Sequence, residues 1–118
     1  MHIKREAKLL RIFIGDSDKF SAFPVYEHIV IEAKKSGLAG ATVLKGIMGY
    51  GGSSRIHTAK ILRLSEDLPV IIEIVDEMEK IENFLPILDK IFEEANCAGL
   101  ITIEKAEVIK YTANNKKS

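Results

Sequence analysis

The apolar positions of the chain fall into short blocks whose period switches between that of a strand and that of a helix. Residues 9–14, LLRIFI, form a compact apolar run with one arginine, followed at once by GDSD. That pattern predicts a buried strand with a turn after it. Val25, Ile29, Val30 and Ala33 then recur at helical spacing. Pro24 suits the first turn, where its missing N–H costs nothing, Lys34 and Lys35 favour the negative C-terminal end, and Gly37 supplies a left-handed stop. The helix is expected over 24–36. ATVLKGIM at 41–48 puts Val43, Lys45 and Ile47 on one parity and Thr42, Leu44 and Met48 on the other. It reads as a strand ending in a glycine cluster. AKILRL at 59–64 fits a strand or a short helix, and the strand is adopted. PVIIEIV at 69–75, rich in β-branched residues, is the clearest strand.

Asp76 and Glu79 have the spacing of a capping box. Ile81, Phe84, Leu85, Leu88, Ile91, Phe92 and Ala95 continue as one helical stripe. Pro86 lies inside it and removes a backbone bond, which predicts a kink near Glu82. LITIEKAEVI at 100–109 reads as the last strand, and the tail 112–118 as frayed and disordered. The order β-α-β-β-α-β predicts an α+β, ferredoxin-like fold: an antiparallel sheet with both helices on one face. Its strands are apolar on the other face too, and a homo-oligomer would cover that face. From Gly49 to Leu68 the connection between the second and third strands is far longer than a hairpin loop.

Composition narrows the function classes. At 118 residues the whole of 1–118 reads as a single domain. Lys plus Arg and Asp plus Glu balance at 17 each, which argues against a protein that grips nucleic acid through its phosphates. No apolar run approaches the ~20 residues of a membrane helix, and the start lacks a signal-peptide core, so a cytoplasmic location is expected. The single cysteine, Cys97, fits a reducing compartment and excludes a cysteine-based zinc site.

The candidate chemistry centres on GIMGYGGSSRIHT, residues 46–58. It is not a P-loop, because Gly52 stands where a lysine would follow Gly51, and it lacks the third glycine of a dinucleotide fingerprint. Glycines let backbone N–H groups close on an anion, Ser53 and Ser54 add hydroxyls, and Arg55 can fork onto phosphate. Anion binding and a flexible hairpin connection both fit this pattern. His57 changes charge near neutral pH, and a solvated loop histidine is the plainer reading. His2 and His28 stand far from it in sequence, so no metal triad is expected. Asp16 and Asp18 read as turn residues. Glu73 interrupts an apolar run, so it reads as an edge-facing carboxylate or as the buried partner of a base such as Arg11 or Lys105; a buried unpaired carboxylate is too costly, and a structural or intersubunit ion pair is adopted. Cys97 reads as inert. No Ser-His-Asp, Cys-His or paired-carboxylate set is visible, and no catalytic residue is assigned.

The run SGLAGATVLKGIMGYGGSSRIHT resembles the nitrogen-regulatory PII signalling proteins, in which a Gly-aromatic-Gly element opens a long mobile loop that later carries His-Thr. Gly49-Tyr50-Gly51 and His57-Thr58 are the matching pieces, LPVIIEIVDE resembles the third strand of the family, and AEVIKY its final strand. The chain is most similar to the uncharacterised branch known as domain of unknown function 190. The resemblance implies a homotrimer that binds an adenine nucleotide in clefts between subunits. It also implies a loop that switches contact with a partner such as a membrane transporter, channel or enzyme. By matching position it implies that Thr42, Gly49, Gly51, Gly52, Ser53 and Arg55 surround the nucleotide. Ile74 would line the adenine pocket, Lys110 would meet phosphate, and Tyr50, Ser54, Arg55 and His57 would face the partner.

The chain also departs from that family. Its second Gly-rich phosphate loop is reduced to Asn96-Cys97-Ala98-Gly99, Gly52 and Ser53 replace a basic and amide pair, and the modified loop tyrosine has no counterpart. ADP and AMP are therefore expected ligands on a par with ATP, with no obligatory cofactor and no metal. The alternatives are a metal-responsive or structural trimer of the same fold and a small interface enzyme acting on nucleotide.

Overall fold

The computed structural model describes residues 3–20, 22–51, 57–58 and 68–114. Strand β1 (Glu6–Gly15) leads into a small hairpin, β2 (Lys19–Phe20) and β3 (Phe23–Pro24), and then helix α1 (Val25–Lys35). Strand β4 (Thr42–Lys45) is followed by the short pair β5 (Met48–Gly49) and β6 (His57–Thr58). Strand β7 (Pro69–Asp76), helix α2 (Met78–Ala95) and strand β8 (Leu100–Glu107) complete the chain. The main sheet has the order β4-β7-β1-β8 with every pairing antiparallel, the ferredoxin-like arrangement.

Alternation along the two central strands builds the core. Leu10, Ile12 and Ile14 of β1 and Val70, Ile72 and Ile74 of β7 are buried on one face. There they pack with Val25, Ile29 and Ala33 of α1 and Ile81, Phe84, Leu88 and Ile91 of α2. Burial of this apolar surface is the main stabilising term of the fold. Both helices therefore cover one face, as the sequence pattern predicts.

Several details differ from expectation. Pro24 is the residue before α1, with φ −60° and ψ 143°, and it pairs with Lys19 rather than entering the first turn. The strand expected over 41–48 breaks at Gly46, whose N–H donates to the carbonyl of Pro69 at 2.7 Å. A Cβ there would lie 2.7 Å from Cγ of the same proline. Asp76 does not cap α2: it ends β7, and Glu77 holds the cap position with no side-chain bond. Helix α2 runs through Pro86 as one element. The strand favoured at 59–64 lies outside the described residues.

The two helices end by the same device. After α1, Gly37 takes φ 83°, its N–H donates to Lys34 O, and the N–H of Leu38 donates to Ala33 O. After α2, Asn96 takes φ 50°, with Asn96 N–H to Glu93 O and Cys97 N–H to Phe92 O. Both are Schellman turns. Nothing lies within 4 Å of a Cβ built on Gly37, so only backbone strain opposes a side chain. Gly37→Ala is expected to cost about 1 kcal/mol in urea unfolding, the left-handed penalty alone.

Candidate functional site

The site grows from the face of the sheet turned away from the helices. Register sets Arg11 opposite Glu73 on β7 and Thr102 on β8, and Glu73 opposite Thr42 on β4. Residues directly opposite one another share a face, so this polar row crosses the sheet. Apolar rows flank it: Leu9 and Val75 on one side, Leu44, Ile71, Phe13 and Leu100 on the other.

Arg11 organises the row. Its Nε donates to Oε2 of Glu73 at 2.9 Å and its Nη1 to Oε2 of Glu104 at 2.7 Å. The hydrogen bond that Arg11 donates to Glu73 is the largest cause holding the guanidinium above its already high ordinary pKa; burial acts against it, and the charges of Glu104 and Glu73 act with it. The sequence-based expectation of an Arg11 or Lys105 partner for Glu73 thus resolves to Arg11. At the loop end of the sheet a second pair joins Lys45 Nζ to Asp16 Oδ2 at 2.8 Å, and that bond raises the lysine pKa.

A cavity of about 710 Å³ opens over the polar row, between the link from α1 to β4 and the segment that follows β8. Thr42, Glu73 and Val75 line it together with residues 39–41, as do Glu107, Lys110 and Tyr111 from the segment at the end of β8. Two hydrogen bonds fix the link. Asp76, fully buried, accepts the N–H of Ala39 at 2.9 Å and that of Glu77 at 2.7 Å. The Tyr111 hydroxyl donates to the carbonyl of Ala39 at 3.2 Å, so the two walls touch. The Glu107 carboxylate is held by Arg5 Nε at 3.0 Å. The cavity thus has the Glu73 carboxylate and Thr42 hydroxyl on one wall and Lys110 on the other, beside the Glu107 carboxylate that Arg5 holds. That lining suits a ligand with hydrogen-bond donors for Glu73 and Thr42 and an anionic group for Lys110.

Of the residues expected around a nucleotide, the structure brings Thr42 and Lys110 to this cavity. Ile74 is not there: it is 1% exposed and points into the helix-covered core, while its neighbours Glu73 and Val75 reach the cavity. Strand parity held the signal, since 72 and 74 share the face of the buried run. Gly49 and Gly51 lie outside the cavity lining, and a Cβ on Gly49 would meet Cγ of Pro69 at 3.0 Å. Tyr50 is 72% exposed. Gly52, Ser53, Ser54 and Arg55 lie outside the described residues; His57 enters β6 opposite Gly49, and its side chain lies outside them too. Glu107, Tyr111 and the 39–41 backbone carried no sequence signal, because their roles depend on the return of the chain after β8. Among the described residues, no three His, Cys, Asp or Glu side chains group to hold a metal, and no helix is long and apolar enough to cross a membrane.

Comparison with known proteins places this geometry. The chain is 45% identical over 102 residues to a UPF0166 protein of Aquifex aeolicus, covering 86% of this chain and 92% of that one. A UPF0166 protein of Methanocaldococcus jannaschii is 44% identical over 105 residues, covering 89% and 94%. Among solved structures, CPII, a nitrogen-regulatory PII-like protein of Thiomonas intermedia K12 bound to ADP, AMP and bicarbonate, superimposes with a TM-score of 0.68 at 17% identity over 89% of this chain and 90% of that one. A proposed PII-like signalling protein of Thermus thermophilus gives 0.59 at 21% identity, over 92% and 94%. The fold is therefore PII-like, and the model of the DUF190 family of uncharacterised ancient conserved regions matches residues 7–108. The chain belongs to the DUF190 family.

Proposed function

We propose that this protein is a PII-like regulator that binds an adenine nucleotide in the cavity over Thr42 and Glu73. The observation that carries the reading is the cavity lined by Glu73 and Thr42 on the sheet and by Lys110 on the facing segment, where Arg5 holds the neighbouring Glu107. The ADP and AMP bound by CPII, a protein of the same fold, support the choice of ligand. A base or ribose presents N–H and O–H donors to Glu73 and Thr42, and the phosphate meets Lys110. Gly49, Gly51, Gly52, Ser53 and Arg55 would close the phosphate end from the loop, and occupancy would favour one loop state over another. Tyr50, Ser54 and His57 would then meet a partner protein, a transporter, channel or enzyme.

The cavity opens on the sheet face that exposes Leu44, Val75 and Leu100 at 46%, 36% and 57%. Apolar surface of this kind is covered in stable proteins. A homotrimer that stacks these faces would roof the cavity, and light scattering on the purified chain measures its order.

Calorimetry with ATP, ADP, AMP and cyclic nucleotides tests the ligand. No heat from any of them, with the assembled protein, would sink the proposal. Lys110→Ala is expected to weaken ADP about tenfold, the scale of one charge-assisted contact, and to leave adenosine nearly unaffected.

A further inference from the structure

Glu73 lines the cavity, but Arg11, which holds it, does not. Arg11 sits one strand away on β1, and its fork is divided between two carboxylates, Glu73 at 2.9 Å and Glu104 at 2.7 Å. Both bonds end on Oε2 atoms. The other oxygen of Glu73 has no hydrogen-bond partner among the described residues, and neither has the hydroxyl of Thr42 across the strand pair. The side chains of Arg11 and Glu73 are 34% and 30% exposed, half-sunk between Leu9 and Val75 on one side and Phe13 and Ile71 on the other.

We infer that Arg11 is a positioning residue for the cavity, clamping Glu73 through one oxygen so that the other is presented as a fixed anionic acceptor to an N–H or O–H donor of the ligand. The inference rests on the nucleotide reading above and adds to it the group that prepares the acceptor. A guanidinium suits the task because its planar fork satisfies two carboxylates at once and loses little freedom on doing so. Glu104 holds the second arm of the fork and so fixes the plane in which the first arm meets Glu73. The three side chains carry one net negative charge, so Glu73 stays an acceptor while its own charge is matched.

Removing Arg11 changes more than shape. The groups that face Glu73 are Arg11 from β1, Glu104 from β8 through Arg11, the uncharged Thr42 from β4, and Glu107, Lys110 and Tyr111 across the cavity. Of these, only Arg11 lies within ion-pair distance among the described residues. Without it, Glu73 faces Glu104 and Glu107 with Lys110 as the remaining nearby cation. Its carboxylate is then no longer held in one orientation, and no single oxygen is kept turned to the cavity. A ligand that needs the fixed acceptor then binds less well.

The test is calorimetric titration of the assembled protein with ADP between pH 5.5 and 8, with circular dichroism confirming the fold of each variant. Arg11→Met is expected to weaken binding at least tenfold relative to wild type at pH 7.5. Arg11→Lys keeps the charge but not the fork, and is expected to recover part of the affinity, with a three- to tenfold loss relative to wild type. A merely structural Arg11 would lower the melting temperature without weakening ADP binding by the folded protein. Arg11→Met binding ADP within twofold of wild type across the range would overturn the inference and leave the nucleotide reading intact. Should Arg11→Met fail to fold, wild-type affinity in Arg11→Lys would overturn it equally. Wild-type protein that binds no adenine nucleotide at any pH would overturn both.

Discussion

Replacing Gly99 with alanine is expected to destabilise the protein by about 3 kcal/mol, near the upper end for overpacking by one methyl group. The methyl would lie 2.6 Å from the carbonyl oxygen of Phe13, 2.8 Å from the Phe92 ring and 2.9 Å from a methyl group of Ile14. None of these can give way cheaply. Phe13 is in the middle of the sheet, paired with Ile71 on one side and Leu100 on the other. Moving its carbonyl disturbs two ladders at once. Phe92 and Ile14 pack with the core cluster, where close packing transmits rather than absorbs the displacement. Equilibrium urea unfolding with an unchanged slope would read the loss directly, and a domain of this size should melt roughly 10 °C lower. A change below about 1 kcal/mol would mean that the turn after α2 can lift away from β1.

Asp76→Ala should be the other severe variant, again costing about 3 kcal/mol, because it orphans two amides rather than one. The carboxylate accepts the N–H groups of Ala39 and Glu77 with no exposed surface of its own. Each buried donor left without a partner costs about 1–3 kcal/mol. Asp76→Asn keeps one oxygen as an acceptor but turns an amide nitrogen toward a second N–H, so roughly half the loss is expected. Amide hydrogen exchange should show Ala39 and Glu77 losing protection ahead of the sheet. Because Ala39 belongs to the wall of the cavity, ADP binding should weaken in Asp76→Asn even where the fold survives. Protection at Ala39 equal to wild type in either variant would show that another acceptor replaces the carboxylate.

These two positions also show what the sequence revealed and what it concealed. The apolar run LLRIFI and the β-branched run PVIIEIV were enough to place both central strands, but not to say which of their faces is buried. The helices followed from their apolar stripes, and Gly37 marked one helix end. Asp76, however, carries the sequence spacing of a helix cap, and only the return of the chain at Ala39 gives its carboxylate a different partner. Gly99 was legible as part of a short link but not as a contact with β1, which depends on how α2 lies across the sheet. The same limit applies to the site. Thr42 and Lys110, expected at a nucleotide from their motifs, line the cavity, whereas Ile74 lies on the buried face of its strand. Glu107 and Tyr111 meet the cavity through the path taken after β8, where no periodic pattern records direction. Where local pattern decided the outcome, sequence sufficed; where distant segments met, it did not.

Pro69 has a consequence for how this fold can diversify. Its ring is the seat for Gly46 and Gly49, and its carbonyl accepts the N–H of Gly46, so the outgoing chain is moored to the very residue at which the returning chain rejoins the sheet. Met48 and Gly49 in turn pair with Thr58 and His57. Exit and re-entry are thereby decoupled from the length of chain between them. Residues added or removed between 50 and 56 would alter reach by up to about 3.3 Å each without moving the strands that carry Thr42 and Glu73. One scaffold could therefore keep its ligand chemistry while its descendants acquire arms of different span, each fitted to a different neighbour.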